Sequence, residues 1–588
     1  MSAAPQSAVS KDERSVAEAR ELVERAWTAF QKYQHFTQEQ VDRVIDAMAA
    51  AATAAAEKIA RLAVEETGYG VVADKVQKNL FSSRRVYEAL RGLKTVGIIN
   101  EGRQQGIVEV AAPVGVVAAI LPSTNPTSTA IYKILIALKG RNAIVLSPHP
   151  SAFRCTCEIT NIMRDAAVKA GAPADVICCF TTPTLAGTQE LMKHRRTGVI
   201  LATGGMGIVR AAYSSGKPAF GVGPGNVPAF VDRSADINKA VADVVFGKTF
   251  DHGTICSSEQ ALVAEETIRE QVLEELKRNG AYFLKPEEID RLGRDMVNLE
   301  AHTINPKFVG KSAQRVAELG GFKVPEGTRV LVAQLAGVGR EHPLSAEKLS
   351  PVLALYFARD RAAAFDTCYA LLRFGGLGHT AVIHSRDDAV IREFGLRMPA
   401  GRIVVNSPAP QGSIGSSTNL FPAMTLGCGA VGGNITSDNI SPMHLINLRR
   451  IAYEARPLTT PAVVEVSSVP APAAAAEACA CATGTAAEAA VPGLATPDRV
   501  AVARAIERFL AHKGDAAAKT SPPPQPSAQD SSSAPARKLK PRPVDFVSEA
   551  EIRAAIQRKE KILIGPRTII TPAARDLAAQ HDVFTVAD

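Results

Sequence analysis

No run of consecutive apolar residues in this 588-residue chain reaches the ~18 needed for a helix to cross a bilayer. The opening stretch, MSAAPQSAVSKDERSVAEAR, has no apolar core, which argues against a secretory signal and for a cytoplasmic protein. Nowhere are aromatic and basic residues interleaved as on an RNA-binding surface. Neither sign of charge dominates: 67 Lys and Arg against 59 Asp and Glu leave +8, part of it in ARKLKPRP at 536–543. That balance fits a slightly basic globular protein better than a nucleic-acid binder. The nine cysteines lack zinc spacing, since CTC (155–157), CC (178–179) and CAC (479–481) have neither two-residue gaps nor histidine partners. No metal site is expected, and in a reducing compartment the thiols should be free.

What is present is enough for several cores, with 46% hydrophobic residues and a length that suggests three or four domains. The chain opens with apolar residues at helical spacing, in ERSVAEARELVERAWTAFQKYQ and again in QEQVDRVIDAMAAAATAAAEKIARLAVEE. Strands and helices then alternate: strands at 115–122, 142–148, 176–180 and 198–205, helices at 127–140, 152–171 and 185–194. Such alternation predicts an α/β fold with a parallel sheet covered on both faces, whose ligands bind beyond the carboxyl ends of the strands.

After about residue 455 the composition shifts to Ala and Pro, and a linker is expected over 456–495. A helix is predicted at 496–513, with Thr496 as N-cap, Pro497 at its first position and Gly514 beyond its end. Val502, Ile506, Phe509 and Leu510 form one apolar stripe that a lone helix cannot bury by itself. A second linker, 514–543, precedes a last piece at 544–588, with a Ser548/Glu551 capping-box pattern, a candidate strand in KILIG and a short helix opening at Thr571-Pro572.

The chemistry centres on TFDHGTICSSEQ, 249–260, where Cys256 stands among small and polar residues. Alone it is compatible with a core residue, a metal ligand or a nucleophile, whose reactive form is the thiolate. LATGGMGIVRAA (201–212) places two glycines where a strand meets a helix, a setting in which backbone can approach a phosphate, although the G-x-G-x-x-G spacing is missing. VGPGNVP (222–228) is a glycine-rich turn, and AEKLSPVLALY (346–356) sets Glu347 beside an apolar strand, where taken singly it reads as a solvated charge.

Together these stretches resemble the aldehyde dehydrogenase superfamily, and within it the CoA-acylating branch, which includes the aldehyde dehydrogenase half of bifunctional aldehyde–alcohol dehydrogenases and the propionaldehyde dehydrogenases of bacterial microcompartments. The resemblance covers roughly 15–455 and rests on APVGVVAAILPSTNPTSTAIYK (112–133), SPHP (147–150), ATGG (202–205), GVGPGNVP (221–228), the Cys256 segment, EKLSPVLA (347–354), GGLGHTAVIH (375–384) and TLGCGAVGGNITSDNISPMHLIN (425–447). It implies an aldehyde dehydrogenase fold: a helical N-terminus and Rossmann-like cofactor domain over 1–235, a catalytic domain over 236–425, and a return to the cofactor domain with an oligomerisation segment over 426–455. Cys256 matches the nucleophile that carries a thiohemiacetal and then a thioester. The Cys256 N–H with Thr124 or Asn125 matches the oxyanion site, and the sequence does not choose between those two. Gly204 and Gly205 match the pyrophosphate turn of NAD and Glu347 the nicotinamide-ribose ligand. Further cofactor contacts are implied at Ser147, His149, Pro150, Thr203, Gly223, Leu349 and His379. Ser147 stands where hydrolytic relatives usually have lysine, which leaves NAD against NADP open, with NAD usual in this branch.

One departure bears on the product. Hydrolytic relatives carry a water-activating glutamate in ELGGK, and here the aligned segment FGVGPGN has Gly221. The resemblance therefore implies coenzyme A as acyl acceptor and a short-chain aldehyde, propionaldehyde or acetaldehyde, as substrate. Hydrolysis with another base, for instance His379, and a non-catalytic scaffold of the same fold are the alternatives. Family members are dimers or tetramers that exchange strands near 94–112 and 430–450. The 496–513 helix resembles encapsulation peptides that attach enzymes to microcompartment shell proteins, and 561–584 resembles segments of other microcompartment-encoded proteins. Both imply a cargo enzyme inside such a compartment.

Overall fold

The computed structural model describes residues 10–102, 106–298, 303–456 and 544–586, the last with gaps at 559, 571–573, 575–577, 579–580 and 582. The chain divides into two compact units, Met1–Val463 and Val464–Asp588. The linkers expected at 456–495, beyond its first residue, and at 514–543, the 496–513 helix and the Thr571-Pro572 helix start fall outside the described residues.

The first unit is built on two parallel sheets. The five-stranded sheet runs in the order Ile177–Cys179, Ala143–Ser147, Val116–Ile120, Thr197–Thr203, Ala219–Val222. Its two central strands, Val116–Ile120 and Ala143–Ser147, are buried at every residue, as expected where helices cover both faces. The seven-stranded sheet runs Ala281–Phe283, Val330–Gln334, Val352–Ala358, Glu259–Glu265, Val227–Val231, Gly378–His384, Ala400–Val405, again all parallel. Val227–Val231 lies in this second sheet, between Glu259–Glu265 and Gly378–His384. The sheet boundary therefore falls between Val222 and Val227 and not at 235, because the glycine-rich turn 223–226 carries the chain across.

The helical opening is two-part as expected, but the second periodic run is broken. Helices Gln38–Ala54 and Ala56–Thr67 separate at Ala55, with neither Gly nor Pro to mark it. Both halves pack on the helix Phe153–Lys169, and the second also meets Val72–Leu80, so tertiary packing sets the break. A third sheet is antiparallel, in the order Gly97–Gly102, Ile107–Pro113, Ile446–Ala452. Along Ile446–Ala452 every residue after Ile446 is exposed. No helix among the described residues is long and apolar enough to cross a membrane.

The second unit has its own small core of Val547, Ile552, Ala555, Ala574, Ala578 and Val583. Its three parallel strands are Val544–Val547, Ile562–Ile570 and Phe584–Val586, with the helix Glu549–Arg558 following the first. The Ser548 N–H donates to the Glu551 carboxylate at 2.7 Å, which completes one half of the capping box.

Candidate active site

The candidate residues lie on loops that follow strands of the five-stranded sheet and on loops that precede strands of the seven-stranded one, and the two sets touch where the Asn125 amide donates to the Thr254 carbonyl. From the first sheet comes Leu121–Asn125, which follows Val116–Ile120 and starts the helix Pro126–Lys139. From the second comes the Thr249–Ser258 turn, which precedes Glu259–Glu265 and carries Cys256.

The Cys256 turn is held from below by a buried charge cluster that sequence reasoning missed. Asp251 is fully buried and accepts from Lys75 (3.0 Å), from Lys78, from the Thr254 hydroxyl (2.6 Å) and from the Val71 N–H (2.7 Å). Burial alone would raise its carboxyl, but Lys78 and Lys75 more than offset that and hold it below its ordinary value. Asp251 and His252 both take left-handed backbone angles, with φ of 48° and 53°. Such strain persists where surrounding contacts over-determine it. The only hint in the sequence was Asp251 itself; Lys75 and Lys78 look like ordinary surface lysines of a short helix.

Lys78 also donates to Asn125 Oδ1, which fixes the orientation of that amide. Asn125 Nδ2 then donates to the Thr254 carbonyl at 3.1 Å and to the Thr124 hydroxyl at 3.2 Å. Cys256 is partly exposed. Burial, then Glu347 and Cys428, push its thiol up to about 12, against a downward pull from Arg402. At neutral pH the resting sulphur is therefore protonated and needs a proton acceptor.

Glu347 is buried, not solvated, and accepts from the Gly225 N–H at 3.1 Å. Burial raises it to about 7, opposed by that N–H and by Lys248 and Lys348. Lys248, itself buried and lowered to about 7 by desolvation, donates to Gln260 at 2.8 Å, and Gln260 also takes the Lys348 N–H at 3.1 Å. The Glu347 loop is thus tied to the strand that follows Cys256. Leu349, in the same loop, has φ of 43°. Gly225 permits a close approach: a Cβ there would collide with the Cys256 carbonyl oxygen and lie 3.1 Å from the His379 ring. His379 is buried, and burial together with Arg402 lowers it to about 3, so the ring is neutral. Its Nδ1 meets the Thr380 hydroxyl at 3.1 Å, and its Nε2 has no partner.

On the nucleotide side, strand Thr197–Thr203 runs into Gly204 and Gly205, and Gly205 caps the helix Met206–Tyr213 with no side-chain bond. A Cβ on Gly205 or Gly207 would meet nothing within 4 Å, so open space fronts this helix end. The Thr203 hydroxyl is buried there without a partner. An orphan hydroxyl, an uncapped helix start and the Glu347 carboxylate fit a phosphate-bearing nucleotide such as NAD. Gly223 faces the Met206 sulphur, 2.9 Å from where its Cβ would lie. Ser147 is buried and spends its hydroxyl on Thr188 at 2.8 Å, whereas His149 is exposed and bonds Ser151 at the short helical turn begun by Pro150. Gly221 lies in strand Ala219–Val222, and a Cβ on it would sit 2.7 Å from Val209 Cγ1 and 3.0 Å from the Tyr213 ring.

Comparison with known proteins agrees with this geometry. The model of the aldehyde dehydrogenase family matches residues 6–291. An acetylating aldehyde dehydrogenase from Geobacillus thermoglucosidasius superposes with a TM-score of 0.75 at 51% identity, over 76% of this chain and 99% of that one. The chain belongs to the aldehyde dehydrogenase family, in its acylating branch. The bifunctional aldehyde-alcohol dehydrogenase AdhE of Escherichia coli (strain K12) is 45% identical over 446 residues, 75% of this chain and 50% of that protein. The chain thus spans about half the length of such bifunctional relatives. A propionaldehyde dehydrogenase from the Clostridium phytofermentans fucose utilisation bacterial microcompartment superposes with a TM-score of 0.67 at 29% identity, covering 74% of this chain and 97% of that one.

Proposed function

We propose that this enzyme oxidises a short-chain aldehyde, propionaldehyde or acetaldehyde, to its acyl-CoA with NAD. Cys256 adds to the aldehyde carbonyl as a thiohemiacetal, and oxidation of that adduct leaves a thioester on the same sulphur. The Cys256 N–H and the Asn125 amide stabilise the oxyanion, the amide by exchanging its longer bond to Thr124. Thr203, Gly204, Gly205 and Glu347 are the residues that would hold NAD, which supplies the hydride acceptor. The observation that carries acyl transfer over hydrolysis is Gly221, which offers no carboxylate and whose α-carbon faces Val209 and Tyr213. His379, whose ring borders Gly225 beside the Cys256 carbonyl, has a free Nε2. The same free nitrogen favours one second reading, in which it activates water.

NADH formation from a panel of short aldehydes, with and without coenzyme A, separates the two, with the product identified by mass spectrometry. Acyl-CoA formation that requires coenzyme A supports the proposal, and free acid at full rate without it would falsify the acylating reading. Cys256→Ala should fall below a few per cent of wild-type turnover while still binding NAD.

We also propose a homo-oligomer and a cargo role. The exposed edge strand Ile446–Ala452 supports the first by offering unpaired backbone to a second copy. The microcompartment relative and the apolar stripe of 496–513 support the second, with a shell protein as partner. Residues 490–515 and 544–588, fused separately to a fluorescent protein in cells making the shell, test it. If neither localises, or if a chain ending at 456 is still packaged, the cargo reading fails.

A further inference from the structure

Cys157 and Cys179 stand 22 residues apart in the chain and bring their sulphurs to 3.0 Å of one another. Both are free thiols, and both are half-buried. The gap is about 1 Å longer than a disulfide bond, within reach of a side-chain adjustment. Cys157 sits in the helix Phe153–Lys169, and Cys179 ends Ile177–Cys179, the edge strand of the five-stranded sheet. The two sulphurs share one carbonyl acceptor, that of Phe180, at 3.1 Å from Cys157 and 3.7 Å from Cys179. The flanking cysteines do not compete. Cys155 and Cys178 are buried and donate to carbonyls on their own side, Ala152 and Asp175, each at 3.3 Å.

The pair lines a surface cavity of about 450 Å³, a size that admits a small organic molecule. Its wall carries Arg14, Arg25 and Arg164 against Glu18, Glu21 and Asp175, so the lining has no net charge and suits a zwitterionic guest. The wall is fixed by its own bonds: Arg25 pairs with Asp175 at 2.7 Å and with Glu21 at 3.2 Å, and Glu18 accepts the Thr181 and Thr182 N–H groups at 2.6 Å and 3.0 Å. We propose that Cys157 and Cys179 form a redox-active dithiol site whose substrate is a low-molecular-weight disulfide of amino-acid or peptide type. One cysteine, as thiolate, attacks a sulphur of the small disulfide. A mixed disulfide forms, and a small thiolate leaves and takes up a proton. The second cysteine then gives up its proton and attacks the protein sulphur of the mixed disulfide. The Cys157–Cys179 bond forms, and the second small thiolate leaves and is protonated. Two protein thiols are oxidised and one small disulfide is reduced to two thiols. The new bond pins the helix to the edge strand and closes a loop over a 22-residue separation, which constrains the unfolded chain.

The test exposes the full wild-type chain, reduced beforehand, to excess glutathione disulfide, alkylates the remaining thiols and maps the digest by mass spectrometry. The expected product is a peptide pair joined between Cys157 and Cys179, two hydrogens lighter than its reduced halves together and separated again by reductant. Fragment ions distinguish this bond from one to Cys155 or Cys178. Cys179→Ala should instead hold glutathione on Cys157 as a mixed disulfide that lasts until reductant is added, whereas the wild type should hold none there. The oxidised wild type should unfold at a higher urea concentration than the reduced protein, and Cys157→Ala should show no such gap. Two free thiols after exposure, a lasting mixed disulfide on either cysteine of the wild type, a bond to Cys155 or Cys178, or a bond between two copies of the chain overturns the proposal. A urea midpoint that falls on oxidation also overturns it, because the bond would then distort the fold instead of closing a poised pair. If either variant does not fold, the wild-type map decides alone.

Discussion

The side-chain amide of Asn125 donates to the carbonyl of Thr254 at 3.1 Å, two residues before Cys256. This bond joins the carboxyl end of one sheet to the amino end of the other at the point of chemistry. It also distinguishes Asn125 from Thr124, whose hydroxyl accepts from that amide and whose carbonyl takes Lys75 at 3.0 Å. Asn125→Ala should lower kcat by ~10²–10³-fold, the usual cost of one oxyanion donor. Thr124→Val, which frees the amide, should stay within about threefold of wild type. Equal losses in both variants would move the donor role away from Asn125.

Replacing Gly221 by glutamate should not create a hydrolase. The new Cβ would sit 2.7 Å from Val209 and 3.0 Å from the Tyr213 ring, with both neighbours on the helix Met206–Tyr213. Overpacking of this kind costs ~1–3 kcal/mol and directs the side chain into that helix, away from the thioester. The variant should melt lower and still give acyl-CoA. A free-acid product from it, measured without coenzyme A, would show that the strand can turn this position toward Cys256.

Asp251 should be the most stability-sensitive polar residue of the site. Asp251→Asn keeps the shape and tolerates the left-handed backbone, yet it leaves Lys75 and Lys78 buried without their counter-ion. Removing one partner of a buried pair costs ~3–5 kcal/mol. Denaturant midpoints should fall accordingly, and a loss under ~1 kcal/mol would mean that the two ammonium groups find other partners.

Four of the five strands of the first sheet were legible because each is a short apolar run closed by Gly, Pro or a polar turn, and the structure places them within a residue or two, whereas the short edge strand Ala219–Val222, inside a glycine-rich stretch, was not. The crossing of Val227–Val231 into the second sheet was not, because a glycine-rich turn of four residues looks the same whether the chain returns or moves on. Cys256, Gly204, Gly205 and Glu347 were legible only as a set, through family motifs in order. The groups that hold the Cys256 turn were illegible for a different reason. Lys75, Lys78, Lys248 and Arg402 carry the charges of surface residues, and only the fold shows that they are buried. The burial of Glu347 is a case of the same kind, since solvation cannot be read from one carboxylate beside one strand.

Two buried histidines should shape the acid stability of the protein. His384, at the end of strand Gly378–His384, is 2% exposed, its Nε2 has no partner, and burial followed by Lys239 lowers it to about 4. Asp243 approaches its other ring nitrogen only to 4.0 Å. His379 is lowered further, to about 3. Both folded values lie below the ordinary ~6.5, so as pH falls through 6.5 the unfolded chain takes up protons that the folded chain refuses. Stability is lost as pH falls through that window, by ~2 kcal/mol per histidine at pH 5. Glu259 and Glu347, raised to about 8 and about 7, act with the opposite sign over part of the same range. The absolute profile therefore mixes both, and the difference between wild type and His384→Phe isolates one group. Between pH 7 and pH 5 the wild type should lose ~2 kcal/mol more than the variant, read from urea midpoints at each pH. Parallel losses in the two proteins would mean that His384 is protonated in the folded state at pH 5, with Asp243 moving in to meet it.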